Sequence, residues 1–197
     1  INEVVPSLDK KFSIAHIGSL LTERNPLLFW EVLSEIALNN QDFASDFEIT
    51  LAGVVSDEVL TSIASFGLTN NITLKGYVPH KVAIKLQHSA QILLLLEMDM
   101  QETKAIIPGK LFEYLQARRP IIALGPDGSD VQDILEDTAS GCYIAPTQKD
   151  RLHKQILLYY RAYKNGTLSV PSNDISAFTR KSLTKRLAGV IKTVVNT

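Results

Sequence analysis

Two stretches, QILLLL at residues 91–96, apolar from Ile92 onward, and PIIAL at residues 120–124, constrain this chain most. A strand with one wet face alternates apolar and polar residues, because successive side chains point to opposite faces. A run such as Ile121 to Leu124, with no polar member, suits a strand covered on both faces, the pattern of a parallel sheet between helix layers. The stretch between the two runs, IIPGKLFEYLQARR, agrees. Pro108 and Gly109 break the preceding structure. Leu111, Phe112 and Leu115 have the spacing of a helix packing on a sheet, and Pro120 stops that helix.

The same alternation runs the length of the chain. Strands are predicted at Phe12–Gly18, Phe47–Gly53, Ile72–Gly76, Gln91–Leu96, Ile121–Leu124 and Gly141–Ala145. Helices are predicted at Pro26–Asn39, Ser56–Phe66 and Pro79–His88, after Gly109, and at Asp130–Leu135, Asp150–Tyr163 and Ile175–Val195. Asn25 and Ser56 read as N-caps, with Pro26 at a first helical position. Six strands separated by helices imply an α/β fold, a Rossmann-like doubly wound parallel sheet with helices on both faces. The expected strand order is 3-2-1-4-5-6, which places ligands at the carboxyl ends of the strands. One domain over residues 1–197 accounts for the length. The chain begins at Ile1 rather than methionine and reads as part of a longer protein.

Composition excludes several classes. Hydrophobic residues make up 45 % and charged residues 21 %, with a net charge of −1, so neither disorder nor bulk nucleic-acid binding fits. The single cysteine, Cys142, cannot form an internal disulfide. No apolar stretch reaches the roughly 18 residues of a membrane span. His16, His80, His88 and His153 include no pair with metal-ligand spacing, and His16, inside an apolar strand, reads as a core histidine. No G-x-G-x-x-G follows the first strand, where Gly18 precedes Ser19, Leu20 and Leu21, so a nicotinamide or flavin enzyme is disfavoured.

The chemistry-bearing residues fall at strand ends. Lys110 and Glu113 lie near the start of a helix, whose N–H groups favour anions. Lys110 is either a solvated helix residue or a reinforcement of that anion site. Glu113 either complements the helix dipole, worth about 0.3–1 kcal/mol, or accepts hydrogen bonds from a pair of sugar hydroxyls. After the first strand, Gly18 permits close backbone approach, Ser19 offers a hydroxyl, and Arg24 offers a fork suited to phosphate. An anion clamp beside a hydroxyl acceptor is what a nucleoside diphosphate needs.

PGKLFEYLQARRPIIAL resembles the stretch P-(S/G)-K-(L/V)-x-E-Y-(L/M)-A-x-G-(K/R)-P-I of sugar-nucleotide-dependent glycosyltransferases with the GT-B fold, group 1 (family four). IAHIGSLLTERNP and LKGYVPH resemble that family's first-strand loop and its G-x-(V/L)-(P/S) strand end. The resemblance runs from about Phe12 to the C-terminus and implies the C-terminal, donor-binding half of such an enzyme. It implies that Glu113 binds the donor ribose, that Gly18, Ser19, Arg24, Gly109 and Lys110 hold the diphosphate, and that Tyr77 and Val78 line the base. It further implies a nucleoside-diphosphate sugar as substrate with no cofactor and no obligatory metal. Transfer of a hexose-type sugar, with retention, would need an N-terminal acceptor domain that precedes Ile1. The implied location is cytoplasmic.

The sequence departs from the family's pattern in places. Many relatives carry a basic residue where Ser19 stands, and an acid where Ala105 stands. Glu97, Asp99 and Glu102 lie nearby, with Glu102 closest; Glu102 and Ile107 are the candidates for the donor sugar. The terminal segment carries an apolar stripe (Ile175, Phe178, Leu187, Val190, Ile191, Val194) and a basic remainder (Arg180, Lys181, Lys185, Arg186, Lys192). A helix over about 174–195 suits a return towards the N-terminal domain, or an anionic membrane surface such as the inner face of the membrane. Two other functions share the expected fold, a sugar-nucleotide epimerase and a non-catalytic flavodoxin-like binding module.

Overall fold

The computed structural model describes residues 7–171 and 175–195. In chain order the elements are β1 (Phe12–Ile17), α1 (Leu27–Asn39), α2 (Gln41–Asp46), β2 (Phe47–Ala52), α3 (Asp57–Ser65), β3 (Ile72–Gly76) and α4 (His80–Ser89). They continue with β4 (Ile92–Leu96), α5 (Lys110–Ala117), β5 (Ile121–Leu124), α6 (Asp130–Thr138), β6 (Gly141–Ile144), α7 (Lys149–Lys164) and α8 (Arg180–Val195). The six strands form one parallel sheet in the order β3-β2-β1-β4-β5-β6, as expected. The order reverses between β1 and β4, the point where such sheets open a crevice at their carboxyl edge.

β4 shows why a leucine run builds this sheet. Ile92, Leu94 and Leu96 join one core, against α1, α2, α3 and α7; Leu93 and Leu95 join the other, beneath α5 and α6. All five are buried, each worth about 1.5–3 kcal/mol relative to exposure. On the first face Phe12, Phe43, Phe47 and Tyr160 form an aromatic cluster with edge-on and stacked pairs. Tyr160 also donates to Asp46 at 2.7 Å, joining α7 to α2.

Several local expectations need correction. Asn25 does not cap α1. The Pro26 position precedes the helix, and Asn25 instead accepts from the buried Trp30 indole at 2.9 Å and donates to Ser62 at 2.8 Å, pinning the β1 loop to α3. Ser56 occupies the N-cap position of α3 without donating or accepting a cap bond; its hydroxyl lies 3.3 Å from Thr22 Oγ1. The sequence reading missed α2, capped by Asn40, whose side chain accepts from Phe43 N–H at 3.0 Å. On α5 the inward residues are Leu111, Tyr114, Leu115 and Ala117, while Phe112 is only partly buried and lies against Phe178. The helix ends at Ala117, before Pro120, because Arg118 turns left-handed with φ 53°. Arg118 stands where the family pattern places glycine, the residue that takes this conformation without steric cost.

The terminal helix starts later than expected. A short 3-10 turn, Ser176–Phe178, precedes α8, and residue 174 lies outside the described residues. Phe178 and Ile175 pack on the second core, but Leu187, Val190 and Ile191 on α8 are exposed. No helix among the described residues is long and apolar enough to cross a membrane.

Candidate functional site

The carboxyl ends of β1 and β2 meet through glycine. Gly18 and Gly53 have φ values of 134° and 137°, in which only glycine is unstrained. A Cβ on Gly53 would run into the Gly18 carbonyl, so the two backbones touch. Hydrogen bonds from Gly18 N–H to Ala52 O (2.7 Å) and Leu20 N–H to Val54 O (2.8 Å) zip the two loops together. A Cβ on Gly18 would meet Lys110 Nζ. The first-strand glycine therefore leaves room for the ammonium carried by the first residue of α5.

Tyr114 sets that distance. It is fully buried, and its hydroxyl accepts the Ile17 N–H at 2.9 Å, bolting α5 to the end of β1. Lys110 is thereby held half-buried over the sheet edge. Burial, then the nearby Arg24 charge, depress its ammonium to a pKa of about 8, against a smaller opposing pull from Glu113. Arg24 itself is exposed, at the end of the 3-10 turn Thr22–Arg24. His16 lies beneath on β1. Its Nδ1 is 3.0 Å from Leu94 O, so Nδ1–H donates and Nε2 is the acceptor. Nε2 has no hydrogen-bond partner among the described residues, so the expected core histidine is only half satisfied. Burial, with the Lys110 charge, lowers its pKa to about 4 and keeps it neutral near pH 7.

Glu113 sits one turn along α5 from Lys110, on the same side of the helix. Its two oxygens face α4: Gln87 Nε2 donates to Oε2 at 2.8 Å, and His80 Nε2 lies 3.1 Å from Oε1. Partial burial alone would raise this carboxyl, but the bonds from Gln87 and His80 and the His80 and Lys110 charges hold it below the usual carboxylate range. Gln87 is buried, and its own Oε1 has no partner among the described residues. An unpartnered buried acceptor costs about 1–3 kcal/mol, a cost accepted in keeping the amide turned towards Glu113.

The remaining candidates are more scattered. Gly109 is the exposed residue preceding α5, and Ser19 is exposed in the β1 loop. Tyr77 and Val78 follow β3, with Pro79 between them and His80 at the start of α4. Tyr77 is 90 % exposed, so it is not the core aromatic that strand-end residues usually are. Glu102, in the 3-10 turn Gln101–Thr103, is exposed and its carboxylate makes no hydrogen bond among the described residues. Ile107 is 38 % exposed.

Of the acids in that loop, the buried one is Glu97. It accepts from Tyr143 OH at 2.7 Å and Ser129 Oγ at 3.1 Å, and burial outweighs both bonds to raise its carboxyl. Glu97 lines a cavity of about 320 Å³ together with Arg24, Asp99, Gly125 and Ala145, at the carboxyl ends of β4, β5 and β6. The signal for Glu97 was its place directly after the buried run of β4; nothing in the sequence marks Tyr143 as its partner.

A doubly wound sheet of this order, with cations and a hydroxyl acceptor gathered at its switch point, defines the Rossmann-like class. The profile of the family "Glycosyl transferases group 1" matches residues 11–162, and the chain belongs to that family. No curated protein sequence matches the chain significantly. Among solved structures, a glycosyltransferase from Rickettsia africae superposes with a TM-score of 0.69 at 15 % identity, over 95 % of this chain and 48 % of that one. HepE of Anabaena, solved with UDP, gives 0.68 at 13 % identity, over 93 % of this chain and 49 % of its own. TarM of S. aureus, solved with UDP among other ligands, gives 0.61 at 17 % identity, over 84 % of this chain and 32 % of its own. At these identities the likeness establishes the fold. The chain spans 32 % to 49 % of the length of these proteins.

Proposed function

We propose that this chain is the C-terminal, donor-binding half of a GT-B glycosyltransferase that transfers a hexose-type sugar from a nucleoside diphosphate to an acceptor. The observation that carries the proposal is the pairing of Lys110 Nζ over Gly18 with the Glu113 carboxylate one turn further along α5. A ribose diol on Glu113 puts the diphosphate against Lys110, Arg24 and the backbone of Gly18, Ser19 and Gly109. The base then lies towards Tyr77 and Val78, and the sugar towards the loop bearing Glu102 and Ile107.

Catalysis on this reading is electrostatic. Lys110, Arg24 and the start of α5 neutralise the charge that grows on the leaving diphosphate, without an obligatory metal or cofactor and with retention at the sugar carbon. The acceptor comes from a further domain, and the exposed stripe of α8 faces it. Solved relatives bound to UDP and to UDP-glucose make the uridine donors the first to test. Titration calorimetry of UDP against wild type and Glu113→Ala tests the reading. Loss of the diol contact is expected to cost about 1.5–3 kcal/mol, as for hydrogen bonds to a charged group. Equal affinities would refute the ribose assignment.

A further inference from the structure

The two partners of Glu113 differ in kind. Gln87 is almost wholly buried, and turning its amide over to satisfy Oε1 would set that oxygen against the carboxylate. It is a fixed support. His80 is the opposite: its side chain is 74 % exposed, and the Glu113 side chain is 38 % exposed where the two meet. The imidazole is therefore the contact on the solvent side, the side from which any ligand reaches Glu113. His80 also opens α4, four residues after Gly76, with φ 60°, and three after the exposed Tyr77.

We propose that His80 is a displaceable occupant of the Glu113 diol site: its imidazole holds the outer edge of the carboxylate when the site is empty, and a ligand with vicinal hydroxyls must turn it out. This rests on the ribose reading above. Gln87 keeps the carboxylate oriented throughout, so the exchange replaces one partner on Oε1 and leaves Oε2 supported. His80 is thus a positioning residue that sets how strongly the diol of a ligand counts towards its affinity.

The charged and titratable groups acting on Glu113 are His80 from α4 and Lys110 on α5, with Tyr114 adjacent. An exposed contact such as that of His80 corresponds to an affinity change of about two- to fivefold.

The experiment compares UDP with 2′,3′-dideoxy-UDP by calorimetry, on wild type and His80→Ala, at pH 7. The two compounds share base and phosphates, so the ratio of their affinities isolates the diol. The ratio in favour of UDP is expected to be about two- to fivefold higher in His80→Ala than in wild type, with UDP bound at least as tightly as by wild type. The His80 imidazole resonances should move on addition of UDP and not of the dideoxy compound. A ratio that is the same in the variant as in wild type overturns the proposal. So does a variant that loses UDP affinity as Glu113→Ala does, since His80 would then support the diol rather than compete with it. If wild type binds both compounds equally, the ribose reading itself fails, an outcome distinct from the others.

Discussion

Lys110 carries a charge that its surroundings oppose, and that opposition can be measured without any ligand. Burial and Arg24 lower its pKa from 10.5 to about 8. At about 1.4 kcal/mol per pH unit, the difference comes to about 3 kcal/mol, an upper figure because the side chain keeps some contact with water. The sign follows from proton counting. Between pH 8 and 10.5 the unfolded chain holds the Lys110 proton and the folded chain has released it. The folded state is therefore penalised by the charged ammonium below pH 8, and stability rises with pH through that window. Buried and partly buried tyrosines act the other way: Tyr114, Tyr159 and Tyr160 are held above their ordinary range, so the folded state loses stability as they are forced to ionise. The difference between wild type and Lys110→Met removes these common contributions. Urea unfolding followed by the fluorescence of Trp30, the one tryptophan and fully buried, gives both curves. Lys110→Met is expected to be the more stable at pH 7, with an advantage that shrinks by up to about 3 kcal/mol towards pH 10.5. Parallel curves would refute the claim that the fold strains this charge.

Two further outcomes are expected. Arg24→Ala should weaken UDP by about 1 kcal/mol or more, as expected for a charge-assisted phosphate contact, and leave uridine nearly unchanged; calorimetry with the two ligands checks this, and equal losses would remove Arg24 from the diphosphate site. Amides of α8 should exchange with deuterium rapidly in this domain alone, because Leu187, Val190 and Ile191 are exposed, and slowly when a longer chain covers that stripe; strong protection in the isolated monomer would mean the helix completes this domain unaided.

The parts of the fold legible in the sequence are those where one residue type has one physical outcome. The leucines of β4 could only be buried on both faces, and the Pro108–Gly109 break followed by Leu111 and Leu115 at helical spacing marked the start of α5. The short helix α2 escaped because its six residues hold one buried side chain, Phe43, too few for a period to emerge, although Asn40 followed by Asp42 is a usable capping signal. Asn25 had the look of a cap, but the buried Trp30 indole needed an acceptor and took it. In the site, Lys110 and Glu113 were readable because both lie on one helix turn. His80 and Gln87 were not, since their contacts with Glu113 span 33 and 26 residues and depend on how α4 and α5 lie side by side on the sheet. Glu97 looked like one more acid in a wet loop; only the fold brings Tyr143 and Ser129 to it.

The contact between Gly18 and Gly53 bears on how a domain of this kind can be re-engineered. The tip of the β1 loop fills the space where Gly53 would carry a side chain, and backbone hydrogen bonds join the two loops, so the loops after β1 and β2 form one inseparable part. A segment carrying Gly18 to Arg24, transplanted onto another sheet, would meet whatever side chain the host has opposite it unless the partner loop travelled too. The loop at residues 97–109 has no such backbone lock to either glycine and reaches the site from the far side of the switch point. Variation in that loop is therefore best confined to its exposed positions, 99–102 and 105–107, leaving the buried Glu97 and Thr103 in place, while the two glycine loops are treated as a single cassette.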